Sequence, residues 1–275
     1  MVFNSIFFIF CFLPVFMLIY YLVPGKLRNL LLFLGSLIFY AWGEPVYVIL
    51  MLFSSIFNYY MGTELERLYY DDRKQKINLI FSIIINLAVL VFFKYYGFLL
   101  NTIGGIIGIH IPHPELSLPI GLSFYTFRNL SYLFDIYLSK VSAQRNFLTF
   151  AVYSTMFPYT SAGPIVRYTD IETQLKQRTI NIFKFGIGAE LFVKGLAKKV
   201  LLADNLSVLY SSICGHPQMS VFTSWLGILA YTMQLYFDFS GYSDMAIGLG
   251  KMLGFDFNKN FDYPYISTSV SESVS

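Results

Sequence analysis

Two aspartates near the end of the chain, Asp238 and Asp244, stand in or beside an apolar run at 221–239 that is typical of a membrane span. A carboxylate at the middle of a span costs about 2.5–3.5 kcal/mol, so such groups usually face protein or a water-filled cavity. Either carboxylate could act as a general base if burial made it basic enough. Ser240 and Ser243 could carry an acyl group, but no neighbouring histidine is available to activate their hydroxyls.

At about 100° per residue, the polar side chains of this stretch fall on two helix faces, one with Asp238 and one with Asp244. A lipid-facing helix cannot hide both faces, so either the helix is surrounded by protein or it breaks near Gly241. The alternative is a buried helix whose polar groups only bond to neighbouring helices. We predict that the helix lines a tunnel with its polar side chains, Gln234, Tyr236, Asp238, Ser240, Tyr242, Ser243 and Asp244.

The composition predicts an all-α, multi-span membrane protein with one membrane domain over 1–275. Of the 275 residues, 56% are hydrophobic and 13% are charged, and the mean hydropathy is +0.59. This profile is typical of a helical bundle in the lipid bilayer. The net charge of +3 is spread over loops, so nucleic acid is not an expected partner. Two cysteines, Cys11 and Cys214, indicate neither a disulfide framework nor a metal site.

Apolar runs predict about seven spans, the first kinked at Pro14. Polar or charged residues at 206–218 predict a loop before the seventh span. The predicted spans are about 3–23, 27–42, 46–61, 77–100, 119–138 and 182–203, with the seventh beginning near 221.

The segment 147–166 is predicted to enter the membrane without crossing it. Its run 147–158 is shorter than the roughly 20 residues that a span needs, and Gly163-Pro164 would break a helix. Irregular backbone at that depth must be buried in protein. Arg167 follows the break and either binds a donor phosphate or anchors the element at the lipid headgroups.

Lysine and arginine alternate between the loops. The loops 62–76 and 139–146 are basic, whereas 43–45 and 101–118 contain neither residue. The positive-inside rule therefore predicts an extracytoplasmic N-terminus. Lys194, Lys198 and Lys199 fit this scheme least well; Lys198 and Lys199 could attract anionic lipid.

Four motifs occur in order: LPIGLSFYTFRNLSYLFDIY at 118–137, MFPYTSAGPIVRY at 156–168, GLAKKVLLADNL at 195–206 and QLYFDFSGYSDMAIGLGKMLGF at 234–255. Together with the tail at 257–272 they resemble the membrane-bound O-acyltransferase family, in its bacterial alginate O-acetyltransferase branch.

The resemblance implies spans and re-entrant helices around a tunnel in the bacterial cytoplasmic membrane. It implies no bound cofactor and transfer of an acyl group, as acetyl, from a thioester donor such as acetyl-CoA or an acyl carrier. The acceptor would be a hydroxyl of a cell-surface or secreted polysaccharide, with extracytoplasmic partner proteins relaying the group.

The family's chemistry centres on a histidine that would take the acceptor's proton. The histidines here, His110, His113 and His216, match none of the family's, so no catalytic residue is assigned. The expectation is that the chain is the N-terminal part of such an enzyme and transfers no acyl group by itself. The rival hypothesis is a non-catalytic scaffold, a transport subunit or an inactive fragment.

GLGKMLG at 248–254 superficially resembles a phosphate-binding loop but lacks the Walker spacing and follows a span. Close helix packing through Gly250 and Gly254 is the favoured interpretation.

Overall fold

The computed structural model describes residues 1–108, 112, 117–160, 163–164, 166–216 and 220–258. Among these residues the chain forms ten α-helices and no strand, as the composition predicted. The helices are α1 (Leu13–Leu22), α2 (Arg28–Ala41), α3 (Val48–Arg67), α4 (Asp72–Ile107), α5 (Leu122–Tyr137), α6 (Phe147–Thr155), α7 (Tyr168–Lys176), α8 (Ile182–Ala197), α9 (Asp204–Cys214) and α10 (Val221–Met252).

Short polar side chains start several of these helices. Asp71 accepts a hydrogen bond from the Lys74 N–H at 3.1 Å to begin α4, and Asn181 accepts from the Lys184 N–H at 2.7 Å to begin α8. Ser220 caps α10 in the same way. Such caps satisfy backbone donors that have no partner inside the helix.

The helix is irregular just before Pro14, where a kink was predicted. A π-helical segment, Phe8–Phe12, runs directly into α1. Because proline lacks an N–H and its ring clashes with the carbonyl four residues earlier, a local widening of the helix relieves the conflict. The helix then continues to Leu22.

Two helices among the described residues are long and apolar enough to cross a membrane, α3 and α4. Their outer faces expose large apolar side chains, including Ile49 and Ile84. On a membrane protein this apolar surface is where lipid would lie. The other predicted spans are helical within the described residues but shorter or less apolar. The fifth is the 16-residue α5.

The fold divides into two compact units. Unit 1 comprises residues 1–19, 162–166 and 177–275, and unit 2 comprises 20–161 and 167–176. In unit 2, α3 packs on α4, α5 and α6, with Tyr40, Met51, Leu90, Leu122 and Tyr125 forming a buried cluster. In unit 1, α10 packs on α8 and α9.

One loop prediction was wrong. Residues 206–214 do not form the predicted loop after the sixth span, because α8 passes through the π-helical segment Lys198–Ala203 into α9, which ends at Cys214. No proline interrupts the chain between 182 and 216, so the backbone can remain helical throughout.

Candidate functional site in unit 1

The two central helices of unit 1, α8 and α10, run antiparallel and touch through glycines. A Cβ built on Gly195 would lie 2.5 Å from the Gly241 carbonyl oxygen, and one on Gly188 would lie 2.5 Å from the Gly248 carbonyl oxygen. Gly188 and Gly195 are seven residues apart on α8, and their partners Gly248 and Gly241 are seven residues apart on α10. Only a residue without a Cβ allows the backbones this close, as in other membrane helix pairs.

The structure decides between the two alternatives at Gly241 and corrects the packing prediction for Gly250 and Gly254. Gly241 does not break α10, which is continuous from Val221 to Met252. Gly250 faces the Phe257 ring rather than another helix, and Gly254 has a φ of 89° and follows the helix end. The glycines of α10 that pack against α8 are therefore Gly241 and Gly248.

The two aspartates flank the Gly241 contact, three residues to either side. Lys198 Nζ lies 2.6 Å from Asp244 Oδ2, and Lys199 Nζ lies 2.7 Å from Asp238 Oδ1. The lysine backbones stand over Gly241, whose Cβ would meet Lys199 N at 3.1 Å and Lys198 Cβ at 3.2 Å. From that shared position the two side chains reach carboxylates on opposite sides of the contact.

The π-helical segment adds a third carboxylate. Lys199 Nζ also lies 3.0 Å from Asp204 Oδ1, five residues further along the chain. A π-helical turn brings residues i and i+5 together, and such turns often occur at functional sites. We name Lys198, Lys199, Asp204, Asp238 and Asp244 the ion-pair cluster.

The cluster is partly desolvated. The side chains of Lys199 and Asp244 are 25% and 21% exposed. Ions in such a place need partners, because each one left alone would carry a desolvation penalty. Two of the three lysines that fit the positive-inside scheme least well, Lys198 and Lys199, are thus partners of the aspartates. The third, Lys194, pairs with Glu190 on α8.

The remaining predicted residues of α10 divide into two groups. Ser240 and Ser243 are buried at 2% and 4% exposure, whereas Gln234, Tyr236 and Tyr242 are partly exposed. Tyr242 stacks on Phe3 with 4.7 Å between ring centres. Ser240 Oγ and Gln234 Oε1 are buried with no hydrogen-bond partner among the described residues. Whether these side chains line a tunnel stays a prediction.

A second charged group ties the far ends of the same two helices. Asp256, just after α10, accepts hydrogen bonds from Lys184 Nζ at 2.7 Å and Lys251 Nζ at 2.9 Å. Partial burial raises the pKa of Asp256, but the two ammonium groups outweigh it, so the net shift is downward. The ionised carboxylate thus joins the start of α8 to the end of α10.

In unit 2, the predicted re-entrant element is short and buried. The helix α6 has nine residues and continues into a 3₁₀ turn, Phe157–Tyr159. Arg128 of α5 anchors it, donating to the carbonyl oxygens of Ser154 at 3.1 Å and Tyr159 at 2.6 Å. This structural role of Arg128 was not predicted from the sequence. The position of an arginine inside an apolar segment is the feature that could have indicated it.

The residues of the predicted Gly-Pro break are outside any helix. Gly163 is half-buried and Pro164 is buried in unit 1. In unit 2, Arg167 is exposed, and its backbone N–H donates to Asp170 Oδ2 at 3.1 Å. An exposed arginine is compatible with both of its proposed roles.

The described residues include one of the three histidines, His216. His110 and His113 lie outside the described residues, and His216 is exposed after α9. Within the described ranges, no three His, Cys, Asp or Glu side chains are placed to hold a metal ion. The tail motif at 257–272 falls almost wholly outside the described residues.

The chain is 42% identical to "Probable alginate O-acetylase AlgI" of Pseudomonas aeruginosa, over 99% of this chain and 53% of that protein. It is 32% identical to the "Peptidoglycan O-acetyltransferase" of Helicobacter pylori, over 99% of this chain and 58% of that protein. It is 24% identical to the "Teichoic acid D-alanyltransferase" of Bacillus subtilis, over 59% of this chain and 42% of that protein.

The chain therefore spans about half the length of the curated relatives it matches. A family model described as "MBOAT, membrane-bound O-acyltransferase family" matches residues 42–275, which is most of the chain. The chain belongs to the membrane-bound O-acyltransferase family.

Proposed function

We propose that this protein transfers an acetyl group from a thioester donor to hydroxyl groups of a cell-surface or secreted polysaccharide. The observation that carries the proposal is the 42% identity to an alginate O-acetylase over 99% of this chain. The relatives share one reaction class by name, acyl transfer to alginate, peptidoglycan or teichoic acid. The higher identity to the alginate relative than to the peptidoglycan relative, 42% against 32%, favours an alginate-like acceptor.

In this reaction the acceptor oxygen attacks the acyl carbonyl, the carbon–sulfur bond of the donor breaks, and the hydroxyl proton passes to a base. Asp238 and Asp244 are poor candidates for that base, because each already binds an ammonium group within 2.7 Å. We infer that the ion-pair cluster instead holds α10 against α8, so that the polar face of α10 keeps a fixed position. A group held in place in this way supports catalysis through positioning.

The proposed setting is the bacterial cytoplasmic membrane, with about seven spans, a re-entrant 147–166 element and an extracytoplasmic N-terminus. The two apolar helices α3 and α4 and the family support a membrane location. Extracytoplasmic partner proteins of the acyl transfer complete the proposal.

Deleting the gene in its native host tests the function. Ester-linked acetate would be released by mild base from separated exopolysaccharide and peptidoglycan and quantified. We expect acetate to fall to background in the exopolysaccharide alone and to return with the wild-type gene. Loss from peptidoglycan alone would contradict the proposed acceptor, and unchanged acetate in both fractions would contradict the proposed reaction.

A further inference from the structure

Unit 2 contains a cavity at the ends of α3 and α5 that is remote in sequence from the ion-pair cluster. It has a volume of about 400 Å³. This size is within the range of small-molecule sites. Its polar and aromatic lining comes from Glu66, Tyr69, Tyr70, Ser139, Lys140 and Ser142.

One side of the cavity suits a cation. The rings of Tyr69 and Tyr70 lie 5.2 Å apart at 82°, and Tyr70 is 96% exposed. Aromatic faces attract ammonium groups, and pairs of such rings bind alkylammonium ligands. The C-terminal ends of α3 and α5, near Arg67 and Tyr137, add negative potential, whereas the Glu66 carboxylate is already held by Arg145 and by the Ala143 N–H.

The other side suits an anion. The Lys140 side chain is 54% exposed, and its nearest carboxylate oxygen, Asp135 Oδ1, is 3.7 Å away. That separation is too long for a strong hydrogen bond, so the ammonium can donate to a ligand. Ser139 and Ser142 supply hydroxyl groups next to it.

The turn that carries these groups is strained. Ser139 has a φ of 56°, and it is the non-glycine residue with positive φ among the described residues. Residues held in this conformation cost about 1–3 kcal/mol and cluster at ligand sites and switches. Ser139 lies at the cavity directly before Lys140.

We propose that this cavity binds the headgroup of a zwitterionic phospholipid, its ammonium against Tyr69, Tyr70 and the C-terminal ends of α3 and α5 and its phosphate against Lys140 and the serine hydroxyls. The cavity adjoins the end of α3, one of the two helices apolar enough to cross the membrane. Tyrosine and lysine at the end of a span are typical of the headgroup region. This inference does not depend on the acyl transfer proposed above.

Native mass spectrometry of the purified protein tests the site. The protein is mixed with equal amounts of phosphatidylethanolamine, the ethanolamine lipid, and phosphatidylglycerol, both with identical acyl chains. We expect the ethanolamine lipid to be retained preferentially. Tyr70→Ala should lower this preference by about 2- to 5-fold, the size of a cation–π contact at an exposed site. Lys140→Gln should weaken retention of both lipids, because both contain the phosphate.

The matched control is a second lysine–tyrosine contact on α4, where Lys94 Nζ lies 5.5 Å from the centre of the Tyr95 ring. Lys94→Gln and Tyr95→Ala should leave the preference unchanged. Because Tyr70 is almost fully exposed, its substitution leaves the fold intact, and an unchanged melting temperature confirms this.

Equal retention of the two lipids, a preference that survives Tyr70→Ala, or unchanged retention of both lipids in Lys140→Gln would overturn the proposal. If inorganic phosphate displaces the lipid as effectively as glycerophosphoethanolamine does, the cavity is a site for free phosphate, which contradicts the proposal. If Tyr70→Ala reduces O-acetylation but leaves lipid retention unaltered, the cavity is a site for a protein partner, which also contradicts the proposal.

Discussion

Lys198 and Asp244 join the π-helical end of α8 to α10 through a contact of 2.6 Å between Nζ and Oδ2, three residues beyond the close approach of Gly195 to Gly241. Two requirements meet at this point. The glycines let the backbones come close enough for the side chains to meet, and the ion pairs fix which residues stand opposite each other. We expect both to be needed for the position of α10.

The glycine contact predicts steric sensitivity. Gly195→Ala would place a methyl group 2.5 Å from the Gly241 carbonyl oxygen, so the helices must separate. Overpacking of this kind costs about 1–3 kcal/mol. The control is Gly186→Ala on the same helix, where the added Cβ meets nothing within 4 Å. Thermal unfolding in detergent should show a lower melting temperature for Gly195→Ala alone; equal melting temperatures would contradict the close packing.

A pair of asparagines joins α3 to α4 inside the apolar part of unit 2. Asn58 and Asn86 exchange two hydrogen bonds through their side chains, at 3.0 and 2.9 Å. A double-mutant cycle with alanine at both positions should give a coupling energy of about 0.6 kcal/mol, and at most about 1.7 kcal/mol. Exposed Asn101 on α4 provides the control partner, for which additivity with Asn58→Ala is expected. Additivity of Asn58 and Asn86 themselves would show that the observed bonds carry no net stability.

Arg128 should be irreplaceable by lysine. Its guanidinium donates to two carbonyl oxygens and lies 4.0 Å from the centre of the Tyr159 ring, an arrangement that needs a planar, forked donor. Arg128→Lys should destabilise the protein by about 1–3 kcal/mol, because at least one buried carbonyl loses its partner. Arg145→Lys, at an exposed arginine paired with Glu66, is the control. Similar melting temperatures for the two variants would show that the fork geometry is unimportant.

The membrane topology can be tested across one helix. Asp72 and Thr102 both lie on the continuous 36-residue α4. At 1.5 Å per residue they are about 45 Å apart, which is enough to reach both sides of a bilayer. In a background without the exposed Cys11 and Cys214, a cysteine at 102 should react with an impermeant thiol reagent from outside intact cells. Labelling of a cysteine at 72 instead would reverse the predicted orientation.

Most helices could be predicted because apolar runs and short polar caps are local signals. Asn181 begins α8, and the sequence 182–203 was predicted as one span. The continuation into α9 was missed, since a π-helical segment has no distinctive composition.

The position of Asp238 and Asp244 in or beside an apolar run was informative by itself, because carboxylates in such a place need partners. Their pairing with Lys199 and Lys198 could not be deduced, since it depends on the register of two helices 40 residues apart in sequence.

The glycines show the same limit. The sequence contains several at 241–254, and spacing alone favoured Gly250 and Gly254 for helix packing. Which glycine faces another helix depends on the rotation of α10 about its axis. Only the structure shows that Gly241 and Gly248 face α8.

The central claim, that the ion-pair cluster positions α10 for acyl transfer, is tested most directly by exchanging charges in the native gene. Lys198→Asp and Asp244→Lys should each lower ester-linked acetate on the polysaccharide by about tenfold, which corresponds to about 1.4 kcal/mol. The double variant restores an opposite-charge pair and should recover most of the acetate. Glu190→Ala, which breaks an exposed pair with Lys194, should have little effect. Full acetylation in both single variants, or no recovery in a double variant present in membranes at the wild-type level, would contradict the claim.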